Sequence, residues 1–261
     1  MLDATRLTEI ADELVVARRD RAQVALLTTR NPEMTVEDAY AVQGLWAERQ
    51  TASGRTLVGR KIGLTSKVMQ VATGITEPDY GVIFDDMVYA SGDTIPFDAF
   101  TSVRVEVELA FVLARPLEGD GVTVDDVLAA TDYAVPALEI LSSRIQLEGR
   151  TIVDTISDNA AMGAMVVGDT HTDPATIDLP WVSAILRRNG DIEESGVAAA
   201  VLDHPAAGVA WLAGKLAQHG ASLAAGEIIL AGSFTRPIWI ERGDDVLADY
   251  RELGTIACRF E

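Results

Sequence analysis

The chain has 261 residues, 48% of them hydrophobic and 23% charged, with a formal net charge of −19. This is ordinary globular usage, long enough for one large domain with a full core or two small ones. The charge argues against nucleic acid or an anionic membrane as partner, because a polyanion gains nothing from another; an anionic small substrate would need a local cation or a metal ion.

Residues 5–28 carry apolar side chains at helical spacing (Leu7, Ile10, Ala11, Leu14, Val15) and predict a helix that Asn31-Pro32 breaks. The acids Asp3, Glu9, Asp12 and Glu13 leave this segment without the basic start and apolar middle of a signal peptide. No apolar run approaches the ~18 residues of a membrane span, so a cytoplasmic protein is expected. Thr35-Val36-Glu37-Asp38 reads as a capped helix start, and Ala39, Val42, Leu45 and Trp46 carry that helix to Ser53-Gly54.

From Thr56 the texture changes to short β-like runs punctuated by glycine. Strands are predicted at 57–64, 82–89, 103–114 and 133–141, with a short helix at 124–130. Asn189-Gly190 marks a hairpin between 182–188 and 192–197. Pro205 suits the first position of a helix that ends before Gly220, and strands follow at 227–231, 237–241, 245–250 and 254–260. The order gives an α+β fold, with an N-terminal helical segment (1–55) packed on a β-rich body (56–261) within one domain, and without the alternation of a Rossmann or TIM fold. Cys258 is the single cysteine. It excludes an intrachain disulfide and fits a reducing compartment.

The run 103–111 holds the most chemistry. If it is a strand, Val103, Val105, Val107, Leu109 and Phe111 share one face, while Arg104, Glu106 and Glu108 share the other. A third acid, Glu139, interrupts the apolar run 133–141. Carboxylates in such settings repel, and burying them costs several kcal/mol each in order of magnitude unless a positive group sits among them. Three of them suggest an all-oxygen site for a hard cation, Mg²⁺ or Mn²⁺ before Ca²⁺. The alternative is a solvated sheet face with Arg104 as a surface partner.

Other segments carry single candidates. Lys61 lies among apolar neighbours in Gly59-Arg60-Lys61-Ile62-Gly63-Leu64-Thr65-Ser66; it is either a proton donor or anchor near a metal, or a snorkelling surface lysine. Asp79, in Glu77-Pro78-Asp79-Tyr80-Gly81, is either a general base or a turn acid. Residues 154–161 are polar, then small, as at a ligand wall or a turn with side-chain-to-backbone bonds. Arg236 either binds a carboxylate or lies on the surface. The three histidines fall in loops or at helix ends, without metal-ligand or triad spacing.

Taken in order, the 59–66 and 77–81 segments, Arg104-x-Glu106-x-Glu108, Pro136-Ala137-Leu138-Glu139, Asp154 to Asn159 and the Asn189-Gly190 hairpin resemble the hydratase/decarboxylase family of aromatic meta-cleavage pathways. That family lies within the fumarylacetoacetase-like superfamily. The resemblance runs from the first helix to Phe260. It implies a curled mixed β-sheet with peripheral helices, Mg²⁺ on Glu106, Glu108 and Glu139, and a homo-oligomer. It also implies Lys61 and Asp79 as acid–base groups, with Leu64, Ser66, Lys67, Ser157 and Arg236 against the substrate. The activity implied is addition of water to a 2-hydroxy-2,4-dienoate or 2-oxo-4-enoate. Ser66-Lys67, Asp85-Asp86-Met87 and 232–237 look most like the branch acting on seven-carbon dicarboxylates, for whose distal carboxylate Lys67 and Arg236 are the candidates; the alternative is hydration of a monocarboxylate, 2-hydroxypenta-2,4-dienoate. The stretch Gln146 to Arg150 is shorter than expected for that branch and would border the far end of the substrate.

Three rivals share the pattern. The sister decarboxylases of 2-oxo-3-enedioates carry an apolar residue where this chain has Asp79, which favours hydration. C–C hydrolysis would need a His–Glu pair near the metal, and no histidine precedes His171. A non-catalytic metal scaffold would have no use for Lys61 and Asp79.

Overall fold

The computed structural model describes residues 1–66, 70 and 77–261. Helix α1 (Ala4–Asp20) starts at Asp3, whose side chain accepts the Arg6 N–H. It ends at Asp20 rather than continuing to residue 28, because Arg21 turns left-handed (φ 53°) and its N–H caps the carbonyls of Ala17 and Arg18. A four-residue turn, α2 (Leu27–Arg30), follows. Helix α3 (Val36–Ala52) begins with the expected cap, a reciprocal box between Thr35 and Asp38. It packs on α1 and on α5 (Ile152–Ser157). Trp46 is buried in the core that all three share with the body.

The body holds two sheets. The larger runs in the order β2 (Asp79–Phe84), β1 (Leu57–Gly63), β10 (Ile228–Ser233), β5 (Arg104–Leu113), β6 (Thr131–Leu141), β7 (Met162–Val167), β3 (Val88–Ala90), with β11 (Ile238–Trp239) paired to β5. It is mixed: β1 pairs β10 and β3 pairs β7 in parallel, and the other pairs are antiparallel. The second sheet runs β4 (Thr94–Ile95), β13 (Thr255–Phe260), β12 (Asp245–Asp249), β8 (Ser183–Arg188), β9 (Asp191–Val197). Helices α4 (Val124–Ala130) and α6 (Pro205–Ala217) pack together, and α6 also covers β10.

Several expected boundaries shift. The strand expected at 82–89 is two strands, because Asp85-Asp86-Met87 forms a 3₁₀ turn between β2 and β3. Strand β7 falls where no strand was expected. It is buried along nearly its whole length, so its sequence lacks the alternation that reveals a half-buried strand. Asn189-Gly190 does turn the β8–β9 hairpin, with φ values of 54° and 91°.

The two sheets are joined by Tyr250, at the end of β12. Its hydroxyl lies 2.7 Å from the carbonyl oxygens of both Glu108 and Ala137. One O–H serves the two acceptors in turn, which pins β5 and β6 from the second sheet. Among the described residues no helix is long and apolar enough to cross a membrane.

Candidate metal and catalytic site

Register brings the three glutamates together. Glu106 on β5 stands directly opposite Glu139 on β6, and Glu108 lies two residues further along the same face of β5. Each offers a carboxylate oxygen within 4.8 Å of the others. Glu108 and Glu139 are buried and Glu106 is half-buried. The solvated-face alternative therefore does not hold. Gly232 on β10 donates its N–H to Glu108 (2.9 Å) and so fixes that carboxylate. The φ of Gly232 is 118°, and any Cβ there would run into Thr65.

Lys61 approaches from β1. Along the sheet β1 and β6 are three strand spacings apart, roughly 14 Å. Lys61 Nζ nevertheless lies 3.2 Å from Glu139 Oε1. Long side chains and the curl of the sheet close the gap. Asp79 on β2 faces Gly63, the second residue after Lys61. A Cβ on Gly63 would lie 2.2 Å from Asp79 Oδ1 and 3.1 Å from Lys61 Nζ, so the acid and the ammonium occupy the space that a side chain would fill. Both Asp79 oxygens are buried without a hydrogen-bond partner among the described residues.

The electrostatics follow from burial. Desolvation, then repulsion from Glu139, pushes the Glu106 carboxyl up to about 8. The same two causes, with Glu106 added, hold Glu108 well above the usual carboxylate range. Burial also raises Asp79, against the pull of Lys61. For Lys61 burial works downward, but Glu139, Asp79, Glu108 and Glu106 outweigh it and keep the ammonium above its ordinary value. One ammonium among four carboxyl groups, three of them buried, leaves an excess of negative charge once they ionise. The donor set, all hard oxygen at short mutual distance, fits a divalent cation of the Mg²⁺/Ca²⁺ kind.

A cavity of about 700 Å³ opens over this cluster. Lys61, Asp79, Glu106, Glu108, Glu139, Leu64, Ser66 and Arg236 all line it. Ser157 does not. It is buried, and its hydroxyl turns back to the Val153 carbonyl within α5 (2.8 Å). Lys67 lies outside the described residues. Arg236 stands at the rim, 80% exposed and paired with Glu194 at 2.7 Å.

The far wall comes from the segment 142–161, whose polar residues mostly hold backbone. Asp154 caps α5 and accepts from Leu27 N and Thr28 Oγ1 (both 2.8 Å). Asp158 is ion-paired to buried Arg144 and accepts its backbone N–H. Asn159 bonds both backbone groups of Val82 (2.8 and 2.9 Å). Asn159, Ala160 and Ala161 are all left-handed (φ 51°, 50° and 59°), and the two alanines face the cavity. Two wall residues escaped the sequence reading. Arg104 looked like a surface partner, and Arg150 drew notice only as part of a loop; both line the cavity. Burial, then their mutual repulsion, lowers Arg104, and burial above all lowers Arg150. The signal available was the parity of Arg104, which shares a strand face with Glu106.

A family model described as fumarylacetoacetate (FAA) hydrolase C-terminal matches residues 59–261. The chain belongs to this family. It is 51% identical to 2-oxo-hept-4-ene-1,7-dioate hydratase of Escherichia coli over 266 aligned residues, covering 100% of both chains. It is 40% identical to 2-keto-4-pentenoate hydratase of Paraburkholderia xenovorans, over 97% of this chain and 94% of that one. Among solved structures, 4-oxalocrotonate decarboxylase from Pseudomonas putida G7, complexed with magnesium and adipate, superimposes with a TM-score of 0.97. That likeness covers 100% of this chain and 99% of the other at 31% identity. The resemblance read from the motifs, and the α+β fold with a curled mixed sheet that it implied, are borne out.

Proposed function

We propose that this member of the family is a Mg²⁺-dependent hydratase. It converts 2-oxohept-4-ene-1,7-dioate, through its 2-hydroxy-2,4-diene form, to 4-hydroxy-2-oxoheptanedioate. The observation that carries this is the Glu106–Glu108–Glu139 triad with Lys61 and Asp79 in one cavity, on a chain similar over its whole length to hydratases. When bound, Mg²⁺ would supply Lewis-acid polarisation of the substrate's 2-oxygen and C1 carboxylate.

The chain's own groups handle the protons. Protonation of the dienol at C5, with loss of the enol O–H proton, conjugates the new C3–C4 double bond with the 2-oxo group, which makes C4 electrophilic. Water then adds its oxygen at C4, and a proton arrives at C3. Asp79 is the acceptor for the water's proton, since burial raises its carboxyl above the ordinary value and neither oxygen has a hydrogen-bond partner among the described residues. Lys61 stays charged among the acids and holds the proton to be delivered. Leu64 and Ser66 border the reacting chain. Self-association of the subunits and a reducing, cytoplasmic setting belong to the same reading; free, buried Cys258 and exposed Trp181 and Ile192 are consistent with it.

The 0.97 superposition on a decarboxylase makes loss of CO₂ the competing reaction. Purified protein with Mg²⁺ and 2-hydroxyhepta-2,4-diene-1,7-dioate should consume the dienol, followed in the ultraviolet, without releasing CO₂. Glu108→Gln should weaken Mg²⁺ binding sharply and remove most of that activity. Stoichiometric CO₂ release, or a variant that binds Mg²⁺ and turns over like the parent, would overturn the assignment.

A further inference from the structure

We infer that Arg104 and Arg150 form a clamp for the substrate's distal carboxylate. The inference rests on the dicarboxylate reading above and assigns the end of the site opposite the glutamates. Arg104 begins β5 on the same face as Glu106, two residues away, a separation of roughly 6.5 Å along a strand. A substrate held by its 2-oxo acid end at the glutamates, and running along β5, brings its far end to Arg104. Arg150 reaches the same place from the loop before α5. Both guanidinium groups converge on one hydroxyl: Arg150 Nη1 lies 2.9 Å and Arg104 Nη2 3.4 Å from Ser143 Oγ.

Two guanidinium groups that converge on one neutral hydroxyl keep N–H donors to spare for an anion between them. Arg150 has Asp158 at 3.8 Å, but that carboxylate already serves Arg144. Arg104 lies beneath the Trp239 ring, 5.3 Å from its centroid. Its Nε is buried with no hydrogen-bond partner among the described residues. An unused donor beside a second arginine matches the forked geometry of a carboxylate. Arg236 is a poorer candidate, because it is largely exposed and already paired with Glu194.

The test uses two saturated compounds that the enzyme cannot hydrate, 2-oxoheptanedioate and 2-oxoheptanoate, which differ only in the far carboxylate. Calorimetric titration of the Mg²⁺-loaded protein should show a preference for the dioate. Arg104→Gln and Arg150→Gln should each cut dioate affinity roughly 10- to 150-fold, the value of a charged hydrogen bond, and so collapse the preference. Arg150→Lys keeps the charge and should retain part of it. Mg²⁺ affinity, measured separately, should stay near the parent's. A parent without preference, variants that keep it, or equal losses on both compounds would overturn the clamp. A parent that prefers the dioate yet does not turn over the dienol would remove the hydratase reading and leave the clamp standing.

Discussion

Two sets of buried acids stand a short way apart in this molecule, and they are treated in opposite ways. Asp154 and Asp158 are saturated: backbone N–H groups, threonine hydroxyls and Arg144 occupy their oxygens. Burial works against Asp154, but its hydrogen bonds win and hold it below the ordinary carboxylate value. Among the described residues neither oxygen of Asp79 meets a hydrogen-bonding partner, and Glu106 and Glu108 are raised by burial and by repulsion from Glu139. The first set is finished by the fold. The second is left incomplete, which is tolerable only where a ligand supplies the missing charge. Burial alone therefore does not separate a structural acid from a chemical one; the accounting of its partners does.

The widest separation of the two sets should come from activity. Asp79→Asn and Lys61→Ala should each lower kcat by ~10²–10⁴-fold, as expected for lost proton-transfer groups. Unfolding by urea should show Asp79→Asn no less stable than the parent, since the change removes an unsatisfied buried charge. Loss of stability together with activity would move Asp79 into the structural set.

The reverse pattern is expected at Asp158. Asp158→Ala leaves Arg144 buried without its partner, a loss on the order of 3–5 kcal/mol. The urea midpoint should fall accordingly, with Mg²⁺ affinity of the folded fraction unchanged. A variant as stable as the parent would show that the Arg144 pair is not what holds the 142–161 segment.

A smaller effect sharpens the comparison through pH. Glu106 is raised from 4.5 to about 8 in the metal-free fold. Its contribution to stability is present below its unfolded value and is lost as pH rises through about 8. Metal-free protein should therefore lose thermal stability from about pH 4.5 to 8, and the rise in Tm on adding Mg²⁺ should grow over that window. Asp154 is depressed, so its contribution has the opposite sign and is lost only as pH falls below its ordinary value of 3.8. A Mg²⁺ increment that is independent of pH would mean that the triad is not raised.

Much of this contrast was legible in the sequence. Alternation placed Glu106 and Glu108 on one face of a strand, and an isolated acid in an apolar run singled out Glu139. Both signals are local, and register only had to join them. Asp79 and Lys61 were readable as candidates because each interrupts an apolar or tightly turned segment. The rest depended on long-range contact. Its parity with Glu106 does not by itself separate Arg104 at a cavity wall from Arg104 on a surface, because the difference lies in Ser143 and Arg150, dozens of residues away. Ser157 failed to reach the cavity for a reason of phase: its position on α5 turns the hydroxyl back to Val153. The end of α1 was missed because the left-handed residue that stops it is an arginine, without the glycine that usually signals such a stop.

Gly63 carries a consequence for inheritance. Every single-base change that alters a glycine codon's amino acid introduces a side chain or a stop. At this position the first carbon of any side chain meets Asp79 and Lys61. The mutational neighbourhood of residue 63 is thus closed for as long as the acid and the ammonium are needed. If Arg104 and Arg150 clamp the distal carboxylate, a change of substrate can be made there without adding a side chain at residue 63. Diversification within such a family would then accumulate at one end of the cavity, with the other end inherited intact.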